Sequence, residues 1–208
     1  MHRENFPTSK IKQGQKSKKR IGLFGGTFDP VHNGHLIIAE SVREQQELDE
    51  EIFIPSASPP HKHHILMFGA EERFRLLAES VRDNPYFSVS DIEMRRKGPS
   101  FTIDTIREIR AGLGAGTELF FILGRDNLYE LETWKETTSI LDECTILVAN
   151  RIWASERPIP GWLESRVVTV TVPLIAISSS DVRTRIREGK SVRYLVPEPV
   201  LDAIKSLK

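Results

Sequence analysis

The chain has 208 residues, a length that predicts one domain of ordinary size. Hydrophobic residues make up 39% of it and charged residues 28%, so the composition predicts a soluble globular protein that buries a core. No apolar run is long enough for a membrane span or a secretory signal, and we therefore expect a cytoplasmic protein. Cys144 is the single cysteine of the sequence, which excludes an internal disulfide and a cysteine-rich zinc site.

Charge is distributed unevenly, although the 29 Lys and Arg residues balance the 29 Asp and Glu residues. The first 20 residues contain seven basic side chains and one acidic side chain, which leaves 22 basic and 28 acidic residues in 21–208. Because the start of the chain is polar and has no apolar period, we expect residues 1–19 to form a disordered basic extension ahead of one domain over 20–208. The acidic excess of the domain argues against a nucleic-acid partner, although the basic extension leaves a nucleic-acid arm open.

Short apolar runs alternate with segments of helical periodicity from residue 20 onward. Six runs rich in Ile, Val, Leu and Phe predict strands buried on both faces, at 21–24, 52–54, 87–90, 119–123, 145–149 and 167–172. Apolar residues spaced three and four apart predict helices at 35–48, 70–82 and 102–111, and two more helices are expected at 179–188 and from about Pro197. This alternation predicts the α/β class, with an open parallel sheet covered by helices on both faces.

The segment after the first predicted strand carries the strongest chemical signal. Residues 25–36 read GGTFDPVHNGHL, which is a strand end with two glycines, a polar loop and the start of a helix. Glycines allow a ligand to approach the backbone closely, and a helix start presents N–H groups that favour phosphate. His32 and His35 are three residues apart across this helix start, so both can face one anion. A tight turn capped by one histidine is the simpler alternative, and a zinc pair lacks a third ligand at suitable spacing.

The segment after the last predicted strand indicates a second anion site. Residues 177–183 read ISSSDVR and open a helix, where serines are common caps. Arg183 follows about one turn into this helix, and its planar fork of donors suits phosphate. Since ligands of open parallel sheets bind at the carboxyl ends of the strands, we expect both helix starts to meet at the same edge.

These two segments resemble the two signatures of the nucleotidylyltransferase superfamily. Four further segments narrow the resemblance to the bacterial nicotinate-nucleotide adenylyltransferases: PPHK at 59–62, PSFT at 99–102, GRD at 124–126, and Trp134. The resemblance covers 20–205 and implies a Rossmann-like single domain. It also implies transfer of the adenylyl group of ATP to nicotinate mononucleotide, giving nicotinate adenine dinucleotide and pyrophosphate in NAD biosynthesis. Mg²⁺ is the implied cofactor, bound through the ATP phosphates and not by side chains, and no covalent enzyme intermediate is implied.

The resemblance also implies roles for individual residues. His32, His35 and Arg183 are the implied catalytic residues, because they contact the phosphates and the charge that develops there. The implied ATP-binding residues are Gly25, Gly26, Thr27, Phe28, Gly124, Asp126, Ser179 and Ser180. Gly124 and Asp126 are placed at the base and ribose of the adenosine, whereas the other residues are placed around the phosphates.

A second set is implied for nicotinate mononucleotide. It comprises Lys62, Thr102, Ile103, Trp134 and Lys135. The indole is expected to stack on the pyridine ring, while the Thr102 hydroxyl and the N–H groups of Ile103 and Lys135 bind the nicotinate carboxylate. The chain departs from the family pattern twice: Phe101 stands where a tyrosine is common, and Lys135 stands where a second aromatic residue is frequent.

Other functions remain open at this point. A related nucleotidylyltransferase acting on nicotinamide mononucleotide or phosphopantetheine is the main alternative. A class I aminoacyl-tRNA synthetase is excluded because the chain lacks a KMSKS-type loop and an anticodon-binding domain. A non-catalytic nucleotide-binding or RNA-binding protein that uses the basic extension is the third hypothesis. We expect ATP and nicotinate mononucleotide as partners and no membrane, and a homo-oligomer stays open.

Overall fold

The computed structural model of the chain describes residues 18–58, 66–114, 116–151 and 158–206, with backbone alone for 150 and 151. The predicted basic extension therefore lies outside the described residues except for Lys18 and Lys19. Nothing in the described part tests whether the extension is disordered, and the division at residue 20 stays a prediction.

Six strands and seven α-helices form these ranges, in regular alternation through the first half. The strands are β1 (Arg20–Gly26), β2 (Glu50–Pro55), β3 (Phe87–Val89), β4 (Glu118–Gly124), β5 (Thr145–Arg151) and β6 (Val167–Val172). The helices are α1 (Asn33–Gln45), α2 (Ala70–Val81), α3 (Thr102–Ala111), α4 (Arg125–Leu128), α5 (Thr137–Glu143), α6 (Ser179–Arg187) and α7 (Glu198–Ser206), with a 3₁₀ helix at Leu131–Thr133.

The strands form one sheet in the order β3-β2-β1-β4-β5-β6, and every neighbouring pair is parallel. This is the strand order of the Rossmann fold, so the predicted class is confirmed. The order reverses between β1 and β4, which pair from Arg20 with Glu118 to Leu23 with Phe121. Their connections leave to opposite faces there, and the carboxyl ends of β1 and β4 border the crevice in which such sheets bind ligands.

Two hydrophobic cores cover the two faces of the sheet. Phe24 of β1 and Phe53 of β2 pack in the core beneath α1, α2, α6 and α7. Leu23 of β1 and Ile54 of β2 point the other way, into the core beneath α3, α4 and α5. Successive strand residues alternate between faces, and both faces are buried here, which explains the nearly continuous apolar runs. None of the helices in the described ranges is long and apolar enough to cross a membrane.

All six predicted strands and all five predicted helices are present, with ends shifted by a few residues. The helix predicted from residue 35 begins at Asn33, because its periodic apolar residues start one turn after its first residue. The sequence prediction missed α4, the 3₁₀ helix and α5. These helices have only four, three and seven residues, too few for a helical period to show in the pattern.

Candidate active site

Two cavities open at the carboxyl edge of the sheet, on either side of the end of β1. The first, called the α1 cavity below, has a volume of about 260 Å³ and is lined partly by α1. The second, called the α3 cavity, has a volume of about 250 Å³ and is lined partly by α3. Gly25, Gly26, Thr27 and Asn127 line both. The end of β1 therefore forms a wall that the two cavities share.

Most residues predicted to bind ATP lie together on the α1 cavity. Its lining includes Gly25, Gly26, Thr27, Phe28, His35, Gly124, Asp126 and Ser179. His32, Ser180 and Arg183 do not line it. His32 stacks on His35 of the lining, while Arg183 is bonded to Ser180 and to the loop after β1 at Asp29. The geometry gathers these residues at one site, while their individual roles stay predictions.

The predicted nicotinate mononucleotide residues fall on the α3 cavity in part. Thr102, Trp134 and Lys135 line this cavity. Ile103 is fully buried beneath it, so that only its backbone N–H is a candidate for ligand binding. Lys62 lies outside the residues that the structure describes.

The two histidines lie on the first turn of α1. His32 is the N-cap and His35 the third helical residue, and their rings stack with centroids 3.6 Å apart. The His32 N–H donates to His35 Nδ1 at 3.2 Å. His35 lines the α1 cavity, whereas His32 is 3% exposed and supports the His35 ring from behind. We expected both imidazoles to face the same anion; only His35 reaches the cavity directly, since an N-cap side chain folds back over the helix start.

Phe28 holds the His35 ring from another side. Its ring meets the imidazole edge to face, with centroids 4.9 Å apart, and it is 2% exposed. A φ of 49° at Phe28 turns the chain out of β1, in the left-handed region that few non-glycine residues adopt. A Cβ on Gly26 would lie 2.9 Å from the Phe28 ring. Glycine at 26 is therefore needed for this ring to sit under His35.

Hydrogen bonds tie the start of α6 to the loop after β1. Arg183 Nη1 donates to the carbonyl oxygen of Asp29 at 2.6 Å, and Arg183 Nη2 donates to Ser180 Oγ at 3.0 Å. The Ser179 hydroxyl donates to the carbonyl oxygen of Pro30 at 3.0 Å. The two helix starts thus meet at one edge, as the sequence predicted.

A buried polar cluster supports the same loop from below. The Asp29 carboxylate is 1% exposed and accepts from the N–H groups of Met67 and Phe68 at 2.9 and 3.0 Å. Arg73 is equally buried, and its Nη1 donates to the carbonyl oxygen of Thr27 at 2.6 Å. Burial lowers the pKa of Arg73, while the Asp29 carboxylate opposes this effect. Asp29 and Arg73 therefore fix the backbone shared by both cavities to the start of α2.

The first turn of α3 opens onto the α3 cavity. Phe101 is the N-cap, and its side chain makes no capping bond. The Asp104 N–H is the first to bond back, to the carbonyl oxygen of Phe101 at 3.1 Å. The N–H groups of Thr102 and Ile103 precede the helix ladder, as at any helix start, and are candidates for a carboxylate. Thr102 is thus the first helical residue, and it lines the cavity.

Trp134 and Lys135 line the α3 cavity from the segment that follows the 3₁₀ helix. The half-buried indole meets Phe121 edge to face, with centroids 6.1 Å apart, which fixes its orientation. Lys135 Nζ lies 3.0 Å from an Asp104 carboxylate oxygen and 4.9 Å from the centre of the Phe101 ring. The two departures from the family pattern therefore contact each other, and the Lys135 charge is already paired.

Sequence reasoning missed three residues of this site. Asn127 lies in both cavity walls but belongs to α4, a helix too short to predict. Glu93 lines the α3 cavity from an irregular segment after β3. In the sequence, Arg73 resembles the other charged residues of an amphipathic helix, but in the structure it is buried. In the described ranges, no group of three or more His, Cys, Asp or Glu residues is placed to hold a metal ion.

Comparison with known proteins agrees with this geometry. Residues 23–185 match the family model described as cytidylyltransferase-like. A "Probable nicotinate-nucleotide adenylyltransferase" from Moorella thermoacetica is 40% identical over 194 residues, covering 90% of this chain and 89% of that protein. A protein of the same name from Exiguobacterium sibiricum is 43% identical and covers 89% and 96%. Plasmodium falciparum nicotinic acid mononucleotide adenylyltransferase complexed with NaAD shares the fold, with a TM-score of 0.73 at 16% identity, covering 91% of this chain and 96% of that chain. The chain therefore belongs to the cytidylyltransferase-like family and, within it, to the nicotinate-nucleotide adenylyltransferases.

Proposed function

We propose that this protein transfers the adenylyl group of ATP to nicotinate mononucleotide. A phosphate oxygen of the mononucleotide forms a bond to the α-phosphorus of ATP, the bond to the β,γ-pyrophosphate breaks, and nicotinate adenine dinucleotide and pyrophosphate leave. The name that the relatives share and the NaAD bound to the Plasmodium falciparum enzyme support this assignment.

One observation carries the proposal: two cavities of similar volume share the wall formed by 25–27 and Asn127. A reaction that joins two nucleotides needs both phosphates at one point with their bases apart. With ATP in the α1 cavity and the mononucleotide in the α3 cavity, the reacting phosphates meet over the end of β1. Bringing two reactants into such an arrangement is itself a large part of catalysis.

Positioning and electrostatics do most of the catalytic work in this scheme. The attacking phosphate has a second pKa of about 6, so it is already ionised near neutral pH and no general base is needed. His35 donates to the α-phosphate oxygens as charge accumulates, with His32 stacked behind it. Arg183 and the start of α6 lie at the other side of the loop, near the expected β- and γ-phosphates.

The donor set also suits the implied cation. The cavities present backbone N–H groups, imidazole and hydroxyls, and Mg²⁺ commonly binds through substrate phosphates and keeps several waters. We propose that Mg²⁺ enters with ATP, where it neutralises phosphate charge. Asp126 is the carboxylate in the α1 cavity lining and is assigned to the ribose.

In the α3 cavity, Trp134 stacks on the pyridine ring, and the N–H groups of Ile103 and Lys135 bind the carboxylate together with the Thr102 hydroxyl. Neutral hydrogen-bond donors discriminate nicotinate from nicotinamide, because the amide group would point its own N–H donors at the donors of the site. The Lys135 charge is engaged by Asp104, so the backbone and not this ammonium is assigned to the carboxylate.

Turnover with ATP and Mg²⁺ tests the proposal, with nicotinate mononucleotide, its amide counterpart and phosphopantetheine offered separately. Pyrophosphate release and the identity of the dinucleotide product are measured. We expect nicotinate mononucleotide to have the highest kcat/KM. A higher value for either other acceptor would assign the protein to that reaction, and no turnover with any acceptor would refute adenylyl transfer. A chain that begins at residue 18 serves as a control for the basic extension.

A further inference from the structure

Glu93 places a negative charge in the wall of the α3 cavity. The residue is 8% exposed and lines this cavity. Its Oε1 accepts a hydrogen bond from the Thr105 hydroxyl at 2.8 Å. Within the part of the chain that the structure describes, no other hydrogen bond or ion pair to the Glu93 carboxylate is found. A carboxylate in a pocket assigned to an acidic substrate calls for a reason, because like charges repel in a site of low dielectric.

The carboxylate is held in place by a short chain of hydrogen bonds. The Thr105 hydroxyl accepts from Arg96 Nη1 at 3.1 Å and donates to Glu93. The Arg96 guanidinium is fixed in turn, because its Nη2 donates to a carboxylate oxygen of Glu108 at 2.5 Å, outside the cavity. Thr105 is 1% exposed and Arg96 is half-buried, so this arrangement is packed against α3 and fixed. Glu93 is thus a positioned group whose second oxygen is available to a ligand.

Positive charge on the lining of the α3 cavity does not neutralise the Glu93 carboxylate. Lys135 is the cation among the described lining residues, and its ammonium is paired with Asp104. Arg96 lies behind the carboxylate and reaches Glu93 through the Thr105 hydroxyl. On the cavity side, a cationic group of the ligand is therefore favoured beside Glu93. Nicotinate mononucleotide has one: its ring nitrogen carries the ribose and is quaternary, so the ring is a cation beside its own carboxylate.

Resting on the proposed function, we infer that Glu93 is the counter-charge of the pyridinium ring and selects acceptors with a cationic ring. The start of α3 binds the carboxylate end, and Glu93 binds the nitrogen end. Thr105, which carries Glu93, lies three residues after Thr102, or about 4.5 Å along the helix. This separation is comparable with the span of the ring between its carboxylate and its nitrogen, so both ends of the zwitterion are matched.

The test compares two substrates that differ in ring charge. Nicotinate mononucleotide is cationic in the ring, whereas its 1,4-dihydro form is neutral there and keeps the carboxylate, ribose and phosphate. We expect the wild-type protein to have a kcat/KM at least tenfold higher for the cationic form. In Glu93→Gln, kcat/KM for the cationic form falls by about two hundredfold, which is the order expected for two charges about 5 Å apart at an effective dielectric of about 20. The value for the dihydro form and the KM for ATP change less than threefold.

Glu108→Gln is the matched control, because Glu108 contacts the same Arg96 but is exposed and lies off the cavity. We expect it to retain the wild-type ratio of the two substrates. Equal losses on both substrates in Glu93→Gln would mean that Glu93 binds the ribose or only supports the fold, and would overturn the inference. A wild-type ratio near one would overturn it without any variant, even if Glu93→Gln failed to fold. Adenylyl transfer to both ring forms at equal rates would leave the proposed function standing.

Discussion

Glu51 offers a quantitative test of the packing, away from the active site. It lies on β2 with no exposed surface, and neither carboxylate oxygen has a hydrogen-bond partner among the described residues. Gly22 on the neighbouring strand makes room for it, since a Cβ there would lie 3.0 Å from Glu51 Cγ. Burial raises the pKa of Glu51 to about 9, with a smaller contribution from Glu40 and an opposing one from Arg43. Arg43 cannot neutralise it, because its guanidinium is bonded to Glu40.

The sign of the effect on stability follows from the proton count. Above its ordinary pKa of about 4.5, the unfolded chain has lost this proton, while the folded protein keeps it up to about pH 9. The free energy of unfolding therefore falls as pH rises through this window, by about 1.4 kcal/mol per pH unit. Between pH 5 and pH 7.5 this amounts to about 3 kcal/mol, a large part of the stability of an ordinary domain.

Glu51→Gln removes the titration and keeps the shape. We expect the variant to match the wild-type protein near pH 5 and to be more stable by about 3 kcal/mol at pH 7.5, measured by urea unfolding across this range. Glu50→Gln is the control on the same strand, where the carboxylate is partly exposed and paired with Lys19 at 2.8 Å. It should change stability by less than about 1 kcal/mol. A stability difference for Glu51→Gln that does not grow with pH would refute the buried, protonated state.

Three further predictions address the active site. His35→Ala should lower kcat by about 10²–10³ while the free energy of unfolding falls by only about 1 kcal/mol, and full activity would refute its role. Trp134→Ala should raise KM for nicotinate mononucleotide more than KM for ATP, and equal effects would contradict the assignment of the two cavities. Gly26→Ala should destabilise the protein by about 1–3 kcal/mol by displacing Phe28. In Gly124→Ala, no atom lies within 4 Å of the new Cβ, and the variant should alter only KM for ATP. A comparable decrease in the free energy of unfolding in both variants would count against this geometry.

Most of the fold could be predicted from the sequence, because parallel strands that are buried on both faces give nearly continuous apolar runs. Residues 119–123 of β4 and 146–149 of β5 face the two cores in turn, so LFFIL and the ILVA part of TILVA are nearly continuous apolar runs. The strand order is not encoded in such runs, and it is given by the structure. The short helices between β4 and β5 could not be predicted, since fewer than two turns show no periodicity.

Site residues could be predicted where the residue type itself indicates the chemistry. They could not be predicted where the role depends on the surroundings of the side chain in the fold. The glycine pair, the histidines and Arg183 stand in motifs that bind anions, and the structure brings them to one edge. Arg73 looks like an ordinary charged residue in the sequence, yet it is about 1% exposed and supports the loop that carries the motif. Its role depends on a contact with Thr27, 46 positions away, a relation that no local pattern contains.

Pairing of charges explains how an acidic domain can attract two anionic substrates. The Asp29 carboxylate beneath the loop is satisfied by two N–H groups and lies 3.7 Å from Arg183. The Asp104 carboxylate beside the α3 cavity is held by Lys135. These two carboxylates, which would otherwise repel a phosphate or nicotinate, are thereby compensated, and helix starts and imidazole contribute the favourable local field. Glu93 differs from them, because the cation on the described lining of the α3 cavity, Lys135, is paired with Asp104 and not with Glu93. A carboxylate at that position favours an acceptor with a cation in its ring.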